Sequence, residues 1–241
     1  MSPKISVILA AYNEEKLLPR CLKTLQDQTY PRELFEVILV DNNSSDKTSQ
    51  IGRQYGVKVV EYKDVQGCGP ARKFGSKIAR GEIFAFTDPD CIVPPNWLEQ
   101  IDSQFMKNGV QLIGGKGMAD RKDILIRFPF VIADWFYLLN NFFGKPLIWG
   151  YNMAVKKTAY DAIGGINIEL LSSEDWDLAF RIHKKFGRGS VKYLRSLEVA
   201  TYPRKQNNPK VLFRYFKNGV KNYIDYVILG KVKAIPIFNV R

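Results

Sequence analysis

A chain of 241 residues with 46% hydrophobic and 13% aromatic content can bury a good core, as one large domain or one domain with an appendage, and its composition argues against disorder. Its 36 lysines and arginines against 24 acids leave a net charge of +12, so the expected partners are anionic: nucleoside diphosphates, lipid phosphates, an acidic membrane surface or nucleic acid. Cys21, Cys68 and Cys91 form no C-x-x-C pair and His183 stands alone, which argues against a disulfide framework, a zinc cluster and a serine-protease triad, and fits a reducing compartment.

The first apolar run, residues 5–9, follows the N-terminus directly and is too short for a signal peptide, so a cytoplasmic start is expected. Two more short apolar runs, 37–40 and 57–60, alternate with segments of helical character at 14–28 and 46–55. That is the βαβαβ rhythm of a parallel sheet with crossover helices. Ser44 and Ser45 read as N-cap residues of the second helix, with Asp46 favourable in its first turn. A third helix over 71–79 leads to the apolar run Ile83-Phe84-Ala85-Phe86-Thr87, bounded by Gly81 and Pro89 and therefore read as a buried strand.

That strand ends in Asp88-Pro89-Asp90, and ligands of open α/β sheets bind beyond the carboxyl ends of strands. Two carboxylates one residue apart at such a place can clamp a hard divalent cation, Mg²⁺ or Mn²⁺, together with phosphate oxygens. Taken alone, the same three residues also read as a polar turn. A helix over 97–106 after Pro95 and a strand over 110–113 follow. An aromatic-rich insert spans 120–146; Asp134, Asn140 and Asn141 interrupt its greasiest part, which is poor for a spanning helix but leaves membrane contact open. A strand near 147–155, helices near 158–163 and 173–186, the latter carrying His183 on one face, and a last helical pattern over 209–229 complete the chain.

A dinucleotide-binding oxidoreductase shares this opening rhythm, but its glycine fingerprint is missing: the first strand runs into Ala10-Ala11-Tyr12-Asn13-Glu14, and Gly67-Cys68-Gly69 precedes the third helix. Instead the ordered motifs resemble family 2 glycosyltransferases, nucleotide-sugar-dependent enzymes with the GT-A fold. The likeness is carried by Ser6 to Glu14, by Val40-Asp41-Asn42-Asn43-Ser44-Ser45-Asp46, by Gly69-Pro70-Ala71-Arg72-Lys73-Phe74-Gly75 and by the D-x-D of Asp88 and Asp90. Farther on, Gly150-Tyr151-Asn152-Met153-Ala154-Val155, Gly164-Gly165 and Ser173-Glu174-Asp175-Trp176-Asp177-Leu178 resemble the family's acceptor-side and E-D motifs.

The resemblance implies an α/β GT-A domain over 1–205, a Rossmann-like, mostly parallel sheet flanked by helices, with a nucleotide-sugar-binding half at 1–118 and an irregular acceptor-side half at 119–205. It implies that Ala10, Tyr12 and Glu14 line the base and ribose pocket, that Asp41 accepts from the base edge, and that Arg72 meets nucleobase or diphosphate with its planar donor fork. Asp90 is the first choice for Mg²⁺ or Mn²⁺, with Asp88 second or on the ribose. Asp175 falls at the position of the catalytic base, with Glu174, Trp176 and Asn152 on the acceptor side; the run Ser172-Ser173-Glu174-Asp175, a Ser followed three residues later by an acid, also reads as a capping motif for the next helix. The implied reaction moves one sugar, with inversion, from a UDP- or GDP-sugar to a lipid-linked or saccharide acceptor. The absence of a Gln-x-x-Arg-Trp motif argues against a processive polymerase.

Among other functions, a nucleotidyltransferase acting on sugar phosphates shares the acidic pair but needs a glycine- and basic-rich phosphate loop after its first strand. A nucleic-acid-binding protein would explain the charge, yet no binding motif is present and the basic residues are spread along the chain. In the C-terminal tail, 206–241, Lys210, Arg214, Lys217 and Lys221 fall opposite Leu212, Phe216, Val220, Tyr223 and Val227. Two readings stand side by side: a peripheral helix on the inner face of the cell membrane, supported by the aromatic insert, or a surface helix packed on its own domain.

Overall fold

The computed structural model describes residues 3–170, 172–203, 217 and 219–229. Four of the expected strands, β1 (Ile5–Ala11), β2 (Phe35–Asp41), β3 (Lys58–Glu61) and β4 (Ile83–Thr87), lie parallel in the order β3-β2-β1-β4. Period-2 alternation divides their side chains between two cores. Val7, Leu9, Val37 and Leu39 face one cluster, with Trp97 and Ile101, while Ile8, Ile38, Phe84 and Phe86 face the other, with Tyr160, Leu178 and Ile182.

The crossover helices are α1 (Leu18–Gln26), α2 (Thr48–Gln54) and α3 (Cys68–Ile78). The first begins later than its pattern suggests because Pro19, which lacks an N–H, fits only the opening turn, and the N–H groups of Leu17 and Leu18 fold back on the carbonyl of Glu14. In α2 the N-cap is Lys47, so Ser44 and Ser45 do not cap it. Ser44 Oγ accepts from the Asn13 N–H at 2.9 Å and the Ser45 N–H donates to Asn13 Oδ1 at 2.8 Å, tying the loops after β1 and β2 together. Asp46 takes over at the helix entry, where its carboxylate accepts from the N–H groups of Thr48 and Glu15.

The second half is more regular than its sequence suggests. After β5 (Cys91–Ile92) and α4 (Trp97–Phe105) come β6 (Leu112–Ala119), α5 (Ile124–Phe142), β7 (Met153–Lys156), α6 (Lys157–Ala162), α7 (Glu174–Phe186) and β8 (Val191–Thr201). They extend one sheet to eight strands in the order β3-β2-β1-β4-β7-β6-β8-β5. The β4–β7, β6–β7 and β5–β8 pairs are antiparallel and β6–β8 is parallel, so the sheet is mixed, parallel chiefly in its first half. The aromatic insert is mostly α5, 19 residues long, entered through an Asp123 side chain that accepts from the Leu125 N–H.

Most of the tail lies outside the described residues, Arg214 and Phe216 among them. In the part described, a π-helical segment, Tyr223–Ile228, turns Tyr223 inward: its ring packs edge-on to Phe136 at 5.0 Å and its hydroxyl donates to Asn140 Oδ1. Tyr223 is thus part of the domain's packing and not of an exposed apolar face; Val220, expected on that face, is exposed, and Ile224 and Ile228 of the wider turn join it.

Helix α3 reaches the sheet through Gly75, where a Cβ would lie 2.6 Å from Ile8 Cγ2 and 2.9 Å from Val40 Cγ2. Gly75→Val should therefore destabilise the fold by about 2 kcal/mol or more through overpacking. Urea denaturation measures it, and an unchanged midpoint would show that the helix can retreat without cost.

Candidate active site

The carboxyl ends of β1, β2 and β4 lie side by side, with Ala11 in register with Asp41 and Leu9 with Thr87. Half-buried Ala10 and Tyr12 and buried Glu14 are therefore grouped near Asp41 at one rim of the sheet. The Asp41 carboxylate accepts from the Ser44 N–H at 3.0 Å and from the Ser49 hydroxyl, and Glu14 donates its N–H to Thr48 Oγ1 at 2.7 Å. Asn42 anchors the next loop: its amide nitrogen donates to the Tyr62 and Val65 carbonyls, and its oxygen accepts from the Gly67 N–H. No role was expected for this side chain, although its place in the second motif was the available signal.

Arg72, at the start of the second turn of α3, is only 3% exposed and joins the two halves of the site. Its Nη2 meets Asp88 Oδ1 at 2.6 Å, at the end of β4, and its Nη1 meets Glu174 Oε1 at 3.1 Å, at the start of α7. Its Nε–H is buried and has no hydrogen-bond partner among the described residues. Gly150 presses on the same group: a Cβ there would stand 2.7 Å from Arg72 Nη1 and 3.0 Å from Asp175 Oδ2. The close approach explains why the motif carries glycine at this position.

Ser173 is the N-cap of α7, in a left-handed conformation, φ 63°, and makes no side-chain cap, so the capping reading of the run from Ser172 to Asp175 does not hold, and Glu174 turns to Arg72. Asp175 then accepts from the N–H groups of Trp176 and Gly150. Burial, with the repulsion of Glu174, lifts its carboxyl to about 7 against the opposing pull of Arg72 and these two N–H groups. Trp176 Nε1 donates to Tyr137 Oη at 3.0 Å, and the Tyr137 ring stacks on Trp149 at 4.5 Å with planes 4° apart. From sequence Tyr137 reads only as one of the insert's aromatic cluster, set toward a membrane, whereas it is buried here; Trp149, beyond the insert, carries no sequence signal of this role.

Asn152 sits apart from the carboxylates and is 0% exposed. Its amide donates to the Lys116 and Leu197 carbonyls and accepts from Trp97 Nε1, pinning β6, β8 and α4 together. It reaches the site only through its own turn, where its N–H donates to the Trp149 carbonyl.

The sequence model described as Glycosyl transferase family 2 matches residues 6–163, more than half of the chain. The chain belongs to this family. It is 38% identical over 118 residues to glycosyltransferase AglE of Haloferax volcanii, covering 47% of this chain and 39% of that protein. It is 28% identical over 196 residues to a beta-monoglucosyldiacylglycerol synthase of Trichormus variabilis, covering 75% of this chain and 41% of the relative, so it spans under half the length of either. Mannosyltransferase PcManGT from Pyrobaculum calidifontis, solved with GDP-Man and Mn²⁺, superimposes with a TM-score of 0.76 at 21% identity over 99% of this chain and 67% of that one. The fold is thus the GT-A fold of family 2.

The acidic pair of this family 2 chain suits an oxygen-loving cation. Asp88 keeps one oxygen on Arg72, while half-buried Asp90 accepts from Thr201 Oγ1 at 3.3 Å and its carbonyl accepts from the Tyr202 N–H. Among the described residues no three His, Cys, Asp or Glu side chains converge, so a cation held by these two carboxylates would need further oxygens, such as those of a diphosphate, to fill its shell.

Because the Asp175 carboxyl is raised in the fold, the proton it holds stabilises the native state below the ordinary carboxylate range, and that contribution is lost as pH rises through about 7. Asp175→Asn should match the wild type near pH ~4 but exceed its stability at pH ~8 by about 1 to 3 kcal/mol. Urea titrations at the two pH values check this; a wild type as stable as the variant at the higher pH would contradict the buried, raised carboxyl.

Proposed function

We propose that this chain transfers a single sugar from a nucleoside diphosphate sugar, UDP- or GDP-linked, to a lipid-linked or saccharide acceptor, with inversion at the anomeric carbon. The observation that carries the reading is the Arg72 bridge, which holds the D-x-D end of β4 and the Glu174-Asp175 start of α7 in one cluster beside a carboxyl titrating near neutrality. The donor class is supported by a structural neighbour solved with GDP-Man and Mn²⁺, and a lipid acceptor by the name of the diacylglycerol-glucosylating relative.

On this reading Ala10, Tyr12, Glu14 and Asp41 form the nucleoside end of the site, while Asp90 and Asp88 would hold Mg²⁺ or Mn²⁺ against the diphosphate. A bound ion would offset the charge that builds on the departing nucleoside diphosphate. Asp175 takes the proton from the acceptor hydroxyl as that oxygen attacks the anomeric carbon from the side opposite the diphosphate. One bond forms as the other breaks, and a single displacement inverts the centre. Arg72 sets the spacing between donor and acceptor sides by holding Asp88 and Glu174 at fixed points, and Trp176, secured by Tyr137, forms a wall of the acceptor side. Family membership favours this over the nucleotidyltransferase alternative, whose phosphate loop the chain lacks.

UDP or GDP binding, followed by titration calorimetry, should require Mn²⁺ or Mg²⁺, and Asp90→Ala should weaken it by about tenfold or more. Equal affinity with a chelator present, or in the variant, would remove the metal assignment. Turnover on a hydroxyl acceptor should fall with decreasing pH below about 7, because only the deprotonated Asp175 accepts a proton, and Asp175→Asn should lower it by about 10²-fold or more with donor binding retained. A variant with normal turnover, or a flat profile in the wild type, would exclude Asp175 as the base.

A further inference from the structure

Helix α5 packs one face on the domain through Asp134, Tyr137 and Asn140, which are 1%, 6% and 7% exposed. Its opposite face is apolar and open to solvent: Ile124, Leu125, Phe128, Val131, Ile132, Trp135, Leu139 and Phe142 are all between 47% and 80% exposed. At about 100° per residue these positions fall within an arc of about 120°, one continuous stripe along the helix. A monomeric protein rarely leaves so large an apolar strip to water without a use for it.

Charge singles out the partner. The exposed cations Arg121 and Lys122 lie just before the helix and Lys145 lies just after it, while exposed Lys217 and Lys221 precede Tyr223, the residue that packs on α5. The acids of α5 and its entry are already engaged, since Asp123 caps the helix and Asp134 accepts from the Tyr193 hydroxyl and pairs with Arg195; Asp225, half-buried, lies on the C-terminal segment. At the C-terminal end of α5, Phe142, Phe143 and Gly144 line a depression of about 460 Å³ with His183 and Arg188, so aromatic and basic side chains share one hollow there. The helix, about 28 Å long, nevertheless cannot cross a bilayer while its other face is bound to the domain, and no helix among the described residues is long and apolar enough to do so.

We infer that α5 is a docking helix for an anionic phospholipid surface, lying flat in the interface with its stripe among the acyl chains and the flanking cations at the headgroups. The C-terminal segment joins the same surface through Val220, Ile224 and Ile228, which are exposed while Tyr223 anchors it to Phe136 and Asn140. The bond from Trp176 to Tyr137 places the docked helix next to Asp175. This deepens the proposed transfer reaction by assigning its acceptor to the lipid-linked class, but the docking itself is measured without catalysis.

The experiment is co-sedimentation of the full chain with phosphatidylcholine vesicles, with and without phosphatidylglycerol, for the wild type, for Leu125→Ser/Phe128→Ser/Leu139→Ser and for Lys122→Glu/Lys145→Glu. All five positions are exposed, so both variants should fold; far-ultraviolet dichroism and the Mn²⁺-dependent thermal shift with UDP or GDP verify that and report the donor site separately. The wild type should bind phosphatidylglycerol vesicles and lose binding as salt rises, and each variant should bind at least about tenfold more weakly. Brominated lipid should quench the fluorescence of Trp135, and Trp135→Phe should remove that quenching. Wild type that ignores anionic vesicles at low salt, a triple serine variant that binds as well as wild type, or a lipid-free dimer dissociated only by the serine changes would overturn the inference, the last giving the stripe to a second copy of the chain.

Discussion

A guanidinium that is almost wholly withdrawn from water must have its charge answered at close range, and Arg72 is answered by two carboxylates from opposite halves of the molecule. Removing one partner of such a buried pair typically costs about 3–5 kcal/mol, because the remaining charge is stranded in a medium that cannot solvate it. The contact therefore constrains more than itself. It sets α3, the end of β4 and the start of α7 relative to one another, and the tight fit of Gly75 on β1 and β2 and of Gly150 on Arg72 and Asp175 leaves little room for any of them to move.

The same constraint organises the electrostatics. Glu174 and Asp175 are adjacent acids at one helix N-terminus, a place that favours negative charge. Arg72 takes Glu174 directly, and Asp175, buried beside that acid, is left with a raised affinity for protons that its two N–H donors offset only in part. Neighbouring residues of like chemistry thus acquire different properties from their surroundings, one as an anchor and the other as a group able to exchange a proton near neutral pH. The left-handed Ser173 is the local backbone cost of presenting both side chains from a single turn.

Helix α5 shows how a second requirement is met without disturbing the first. A polar line on its inner face, Asp134 with Tyr193 and Arg195, Asn140 with Tyr223, and Tyr137 with Trp176, ties it to the sheet and to α7 by directional contacts. Because those contacts orient the helix, its outer face need not pack on anything in the domain. An apolar stripe can then be carried in the open without weakening the core beneath it.

The sequence by itself determined the parallel half of the sheet and the position of the acidic pair, since buried strands announce themselves as short apolar runs and their ends as turn residues. It also determined family membership, through motifs whose order along the chain is more specific than any one of them. Helix edges were less legible: Pro19 and Asp46 moved the starts of α1 and α2 by local bonding that periodicity does not register. Strand β8 escaped because its residues are largely half-buried, and the length of β6 because Gly114, Gly115 and Gly117 carry no strand signal, although they are what allows Asn152, Tyr151 and Ile148 to pack against it. Only the tertiary structure decided that Arg72 meets a carboxylate 102 residues away, that Asn152 is a buried pin, that Tyr223 turns inward and that the aromatic insert keeps its apolar side outermost. Local pattern encodes what a segment prefers to be; which face is buried, and which charge is desolvated beside which other, depends on the partners that folding brings together.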